Sequence, residues 1–207
     1  MKKLLLTLSA TLLVSAPLVT SNVYADEHDH DHSHEAAPST DVQLIDWEGE
    51  WNSYGAYLEE ADVKEALAKA AEKEGQDEAE YTDAIKERRK ADFDGLIIDD
   101  KTITFLQTRA DSDEVKESSK GTYTYSETIS VDHGGQPMFW YVFEGDEDAP
   151  YPYVLLMDLH GEDTMAHFHM RYGDDLKALA DEDSEWYPTF VASDTSTDQV
   201  VFDILGE

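Results

Sequence analysis

"GLIIDDKTITFLQ", residues 95–107, carries apolar and β-branched residues on both sides of an Asp99-Asp100 turn signal. Its period of two begins near Asp94 and marks two paired strands rather than a helix. Towards the C-terminus the same texture repeats. "GTYTYSETISV" reads as a strand, "DHGGQP" as a turn and "MFWYVFEG" as a strand. "YPYVLLMDLH" and "MAHFHMRYG" follow, joined by a tight "GEDT" connection, and then "SEWYPTF" as a last strand. A run of short antiparallel strands of this kind predicts a meander that closes into a barrel or a strongly curled sheet. "TDQVVFDILGE" reads as a closing helix with Asp198 near its cap.

Towards the N-terminus the period lengthens. Trp47, Trp51, Tyr54 and Leu58 recur at helical spacing and predict an amphipathic segment packed on the core. Asp62 and Glu65 form a capping-box pattern ahead of a helix whose apolar face is Val63, Ala66, Leu67 and Ala70, with Gly75 as its stop. A second helix is predicted from about Asp77 to Lys90. Tyr81, Ala84 and Ile85 are its inward residues, and Lys86, Arg88, Arg89 and Lys90 suit its C-terminal dipole. The predicted organisation is a helical part at 42–92 and a barrel at 93–207.

Residues 1–25 have the form of a secretory signal peptide. Lys2 and Lys3 are followed by the apolar "LLLTLSATLLVSA" and by "VYA" before Asp26, a pattern too short and wrongly flanked for a spanning helix. Export to the periplasm or cell-envelope space is therefore expected. The chain has no cysteine, so a lipid anchor at the cleavage site is not expected and any metal site must use nitrogen and oxygen donors. The formal net charge is -32, and removal of the two signal-peptide lysines leaves -34. Such a surface repels nucleic acid and anionic lipid, so neither is an expected partner. Most of these carboxylates are spread along the chain and read as a solvated surface. Residues 26–41 contain no large apolar side chain before the fold begins and read as a disordered tail. His28, His30, His32 and His34 alternate there with acids and form a weak auxiliary metal site.

The remaining chemistry lies in "MDLHGEDTMAHFHMRYG", residues 157–173. In a strand, residues two apart share a face, so His167 and His169 point the same way and Ala166, Phe168, Met170 and Tyr172 point the other. His160 joins the first face only if the pairing register is odd. A two-residue loop at Glu162-Asp163 opposes His160 to Met165, and a six-residue loop opposes it to His167. Both registers are odd, and the second gathers the imidazoles best. Asp158 is expected on that face too, as a fourth ligand or as an acceptor orienting an imidazole, with water as the alternative fourth ligand. Three histidines and one open position are a zinc arrangement. His133 falls in a polar turn and reads as unrelated. No sequence pattern singles out a reaction, and the chain reads as a binding protein rather than an enzyme.

Several stretches in order resemble the ZinT-type zinc-binding proteins: "LIDWEGEW", "DFDGLIID", "FWYVFEG", "MDLHGEDTMAHFHMRYG" and "EWYPTF". That family is also found as the C-terminal domain of some zinc-uptake lipoproteins. The resemblance implies a calycin-like (lipocalin-like) antiparallel barrel with a small helical part. It implies zinc held by the histidine before a hairpin loop and the H-x-H after it, here His160, His167 and His169. It further implies a monomeric exported protein serving zinc uptake, with a zinc ABC-uptake system or its solute-binding protein as partner. Cadmium, copper and nickel compete for the same donors in vitro. Metal buffering or cadmium sequestration is the alternative role. A zinc-dependent hydrolase and a small-ligand-binding lipocalin-like protein stand behind it.

Overall fold

The computed structural model describes residues 41–133, 136–161 and 164–206. The predicted signal peptide and the tail with His28, His30, His32 and His34 lie outside the described residues. Eight antiparallel strands follow one another around a closed barrel: β1 (Gly49–Ser53), β2 (Gly95–Asp99), β3 (Thr102–Leu106), β4 (Glu117–His133), β5 (Gln136–Gly145), β6 (Tyr153–Leu156), β7 (His167–Gly173) and β8 (Thr189–Ala192). β8 closes the barrel on β1, with Asn52 opposite Val191. The helices are α1 (Ala61–Glu74), α2 (Glu78–Arg89), α3 (Leu176–Leu179) and α4 (Thr197–Leu205).

The strand pair read from residues 95–107 is β2 and β3, with Asp99 opposite Thr102. β4 is longer than expected because it serves two neighbours. Residues 117–122 pair with β3, and residues 123–133 pair with β5 across a register shift between Tyr125 and Glu127. The hairpin that follows is tighter than "DHGGQP", since His133 is the last residue of β4 and pairs with Gln136. The last strand begins later than "SEWYPTF" suggests, at Thr189.

The N-terminal segment departs from expectation. Trp51 lies on β1 between two 3-10 turns, Leu44–Trp47 and Tyr54–Tyr57, so residues 49–53 belong to the barrel and not to a helical part. All four expected residues are buried, but they share no face. Trp47 and Trp51 enter the barrel interior, while Tyr54 and Leu58 pack outside it under the helices. The helical spacing is thus the sum of a strand and two turns.

α1 starts ahead of its predicted cap. Glu60 is the N-cap residue and Asp62 stands in the first turn, where its charge suits the helix dipole. The Glu60 carboxylate accepts from Arg109 and from the Thr197 hydroxyl instead of capping. Gly75 ends α1 at φ +69°, as a left-handed C-cap. Asp77 caps α2 through the amides of Ala79 and Glu80. Ala84, expected inward, is exposed. α2 docks through Tyr81 and Ile85, which pack half-buried against the outer core cluster, and through its C-terminal end: the Arg88 carbonyl accepts from the Tyr187 amide, and the Lys90 carbonyl accepts from Trp186 Nε1. α4 is capped by Ser196 with Gln199, and Asp198 stands in its first turn.

The barrel interior is filled by its own aromatic side chains. Phe93 stacks on Phe190 with ring centroids 5.5 Å apart, and Trp51 meets Phe168 edge-on at 5.0 Å. Phe168, Met170 and Tyr172 of β7 all join this interior cluster. The next residue of the other parity, Arg171, points outward yet is only 1% exposed. Its guanidinium lies between the rings of Trp140 and Tyr187, 4.9 and 4.6 Å from their centroids. It donates to the carbonyls of Trp186, Leu179, Asp181 and Ser184. Burial draws its pKa downward, but a guanidinium stays protonated in any case. One side chain thus closes the segment between α3 and β8 by gathering four of its carbonyls, of which that of Asp181 also accepts from the Ser184 amide.

Arg171→Met should lower the unfolding free energy by about 3–5 kcal/mol, because the buried carbonyls lose their donors together. Arg171→Lys should fail to restore it, since an ammonium has three donors and no plane to place between two rings. Urea unfolding measures both. A loss below about 1 kcal/mol for Met would show that the segment is held by other contacts.

Candidate metal centre

β7 and β8 pair with His167 opposite Val191, Phe168 opposite Phe190, and His169 opposite Thr189. Phe168 and Phe190 face the interior, so His167, His169 and Thr189 face outward. Along β6 and β7 the register runs from Tyr153 opposite Gly173 to Leu156 opposite Met170. Continued unchanged, it would set His160 opposite Ala166 and turn its ring away from the other two.

The register changes instead. The Met157 amide donates to the His169 carbonyl, and three residues later His160 forms an isolated antiparallel bridge with His167. Three steps on one strand match two on the other, as in a β-bulge. The added residue lies at Asp158-Leu159 and brings the His160 ring to the outer face. Of the two registers open from sequence, the structure has the pairing of His160 with His167. Gly161 makes the return possible. Its φ is +75°, and a Cβ there would lie 2.5 Å from the Met165 carbonyl oxygen and 2.9 Å from His167 Nδ1.

The three rings converge. Their centroids are 3.9 Å apart for His160 and His167, 5.4 Å for His160 and His169, and 5.8 Å for His167 and His169. One nitrogen from each lies within 4.8 Å of the others. Tetrahedral zinc with Zn–N bonds of ~2.0–2.1 Å needs nitrogens roughly 3.3 Å apart. Small side-chain rotations close that difference, so the donor set fits a zinc ion.

Each ring is also fixed through Nδ1. His160 Nδ1 lies 2.9 Å from the Asp158 carbonyl oxygen, and His167 Nδ1 lies 2.8 Å from that of Met165. A carbonyl only accepts, so both Nδ1 atoms carry the proton and Nε2 bears the lone pair. His169 Nδ1 lies 2.9 Å from Thr189 Oγ1. Its ring is also edge-on to Tyr187, with centroids 5.7 Å apart. Loss of hydration, then the positive charge of Arg89 and of the neighbouring imidazoles, holds His169 well below the ordinary histidine range.

Asp158 meets the site through its main chain. Its main-chain carbonyl, not its carboxylate, meets His160. The carboxylate is exposed and accepts from the Tyr141 hydroxyl at 3.3 Å. Asp158 continues the parity of Val154 and Leu156, which join the interior cluster, so its carboxylate meets Tyr141 of that cluster and not the imidazoles. His133 stands on the β4–β5 hairpin. Thr189, Tyr187 and Arg89 carry no sequence signal for this site. They reach it through the β7–β8 register and the docking of α2, and the basic C-terminus of α2 alone reads as helix-dipole compensation.

The depressed pKa of His169 fixes the sign of a pH effect on metal-stripped protein. Below an ordinary histidine pKa of ~6.5 the unfolded chain takes up a proton that the folded His169 rejects. Stability therefore falls as pH falls through that value, by at most about 1.4 kcal/mol per pH unit for one proton. His169→Gln should flatten the melting-temperature profile between about pH 7 and pH 5.5, above the carboxylate range. Parallel profiles for the two proteins would show that His169 titrates normally in the fold.

Comparison with known proteins agrees with this architecture. A family model described as ZinT (YodA) periplasmic lipocalin-like zinc-recruitment matches residues 28–207. The probable metal-binding protein YrpE of Bacillus subtilis (strain 168) is 30% identical over 170 residues, which are 80% of this chain and 65% of YrpE. The zinc-binding protein AdcA of Streptococcus pyogenes serotype M3 is 27% identical over 171 residues, 79% of this chain and 32% of AdcA. The chain thus spans less than two thirds of the length of these relatives. The crystal structure of the Zn(II)-bound ZinT-like domain of Streptococcus pneumoniae AdcA superposes with a TM-score of 0.62 at 25% identity, covering 83% of this chain and 94% of that domain. A closed eight-stranded barrel, an outward triad of imidazoles on its β6–β7 hairpin and a family match over nearly the whole sequence together place this chain in the ZinT family.

Proposed function

We propose that this protein binds one zinc ion through Nε2 of His160, His167 and His169, captures it outside the cytoplasm and supports zinc uptake. The observation that carries the reading is the set of three converging imidazoles, two of them held by main-chain carbonyls in the metal-binding tautomer. Membership of the ZinT family and the names of the relatives support zinc as the metal. The signal-peptide form of residues 1–25 supports export. His28, His30, His32 and His34 serve as an auxiliary site that raises the local encounter rate. Water completes the zinc coordination, with the Asp158 carboxylate as the alternative if it leaves Tyr141. A zinc-uptake transporter or its solute-binding protein is the proposed recipient. Sequestration of excess zinc or cadmium uses the same donors, and growth in zinc-limited and cadmium-loaded medium separates the two roles.

Deletion of residues 26–40 should leave one tight zinc per chain in calorimetry. Loss of a group that only supports a metal ligand typically costs about 10- to 100-fold in affinity, and loss of a ligand costs no less. His167→Ala and His169→Ala should therefore each weaken binding at least about tenfold against a chromogenic chelator, with His133→Ala unchanged. Tight binding that vanishes with the tail, or equal losses at all three histidines, would overturn the assignment.

Zinc requires neutral imidazoles, so a three-histidine site should release its metal as pH falls from about 7 to about 5. The zinc-dependent rise in melting temperature should disappear over the same interval, because it arises from binding to the folded state alone. Bound zinc and melting temperature, followed together, check this. Full retention at pH 5 would require carboxylates in the coordination sphere.

A further inference from the structure

His160 and His167 are anchored by carbonyl oxygens, which accept and never donate. His169 is anchored by a hydroxyl, which does either. If Thr189 gave its hydrogen to His169 Nδ1, the ring proton would sit on Nε2 and no lone pair would face the other two imidazoles. Two groups remove that possibility. Thr189 Oγ1 donates to the Tyr187 carbonyl at 3.1 Å, which uses its only hydrogen. Arg89 Nη1, a donor under all conditions, occupies one lone pair of the same oxygen at 2.6 Å. The lone pair that remains is the partner of His169 Nδ1 at 2.9 Å, so Nδ1 must donate.

Thr189 is only 1% exposed and lies directly opposite His169 in the β7–β8 ladder. It has no direct role in holding a metal. The Tyr187 carbonyl belongs to the segment closed by Arg171, and Arg89 arrives from the end of α2. Three separate elements therefore meet on one hydroxyl.

We propose that Thr189, held by Arg89 and the Tyr187 carbonyl, is the positioning residue that sets the Nδ1–H tautomer of His169 and so determines the zinc affinity of the centre. This rests on the reading of His160, His167 and His169 as the zinc ligands. Other metal ions that bind through imidazole Nε2 fall under the same control.

The test compares the full chain with Thr189→Val, which keeps the shape and loses the acceptor, and Thr189→Ser, which keeps the hydroxyl. Long-range proton–nitrogen NMR at pH 8 on chelator-stripped protein reads the His169 tautomer, and chelator competition with zinc alone reads affinity. Wild type and Thr189→Ser should show His169 protonated at Nδ1 and should bind zinc within a few-fold of each other. Thr189→Val should show a mixed or Nε2–H ring and bind zinc about 10- to 100-fold more weakly. An unchanged tautomer in Thr189→Val overturns the proposal, even if affinity falls, because the loss would then be structural. If Thr189→Val does not fold, Thr189→Ala carries the same expectation and the same overturning result. Failure of zinc to perturb the three Nε2 signals of wild type would reject the ligand assignment itself, and the metal-free tautomer would still report on Thr189.

Discussion

One residue of register decides what this barrel can hold. The β6–β7 ladder, taken at the pairing set by Leu156 and Met170, faces the His160 ring away from His167 and His169. The extra residue at Asp158-Leu159 reverses that and sets His160 against His167. A bulge leaves a main-chain carbonyl unpaired in the ladder, and here the Asp158 carbonyl is used by His160 Nδ1. The same distortion therefore turns the ring outward and fixes which nitrogen carries its proton.

The bulge is held in place by what lies behind it. Phe168, Met170 and Tyr172 anchor β7 in the packed interior, so His167, His169 and Arg171 have no freedom to exchange faces. Trp47 Nε1 donates to the Met157 carbonyl immediately before the bulge, tying the end of β6 to the first 3-10 turn. Arg171 organises the opposite flank by gathering four carbonyls of the segment that leads to Tyr187 and Thr189. The histidines thus stand on the outer wall, with the aromatic cluster of the barrel interior packed behind them.

Electrostatics sharpen the picture. The chain is strongly acidic, yet the immediate surroundings of His169 are cationic through Arg89 and Arg88. That local charge favours a neutral imidazole, the form that coordinates a metal. It also opposes an incoming cation, so the ligand nitrogens must offset the repulsion by direct coordination. The diffuse acidity of the rest of the surface attracts cations from a distance without holding them at a defined place.

The period-two texture from Asp94 onward determined that strands follow one another, and the H-x-H spacing determined that His167 and His169 share a face, because side chains alternate along any strand. Gly75 and Asp77 likewise marked real helix boundaries, since capping is a local effect. Helical spacing of Trp47, Trp51, Tyr54 and Leu58 misled because burial on two different surfaces can mimic one apolar stripe. Ala84 misled because the docked face of α2 is narrow: Tyr81 and Ile85 pack on the core while Ala84 faces solvent. The side of the sheet on which His160 stands depends on a bulge, and the turn of the Asp158 carboxylate depends on Tyr141 of a neighbouring strand. The tautomer of His169 depends on Thr189 and on Arg89, twenty and eighty residues away in sequence. Local periodicity and capping are written in neighbouring residues, whereas register slips and hydrogen-bond donors from distant strands exist only once the barrel has closed.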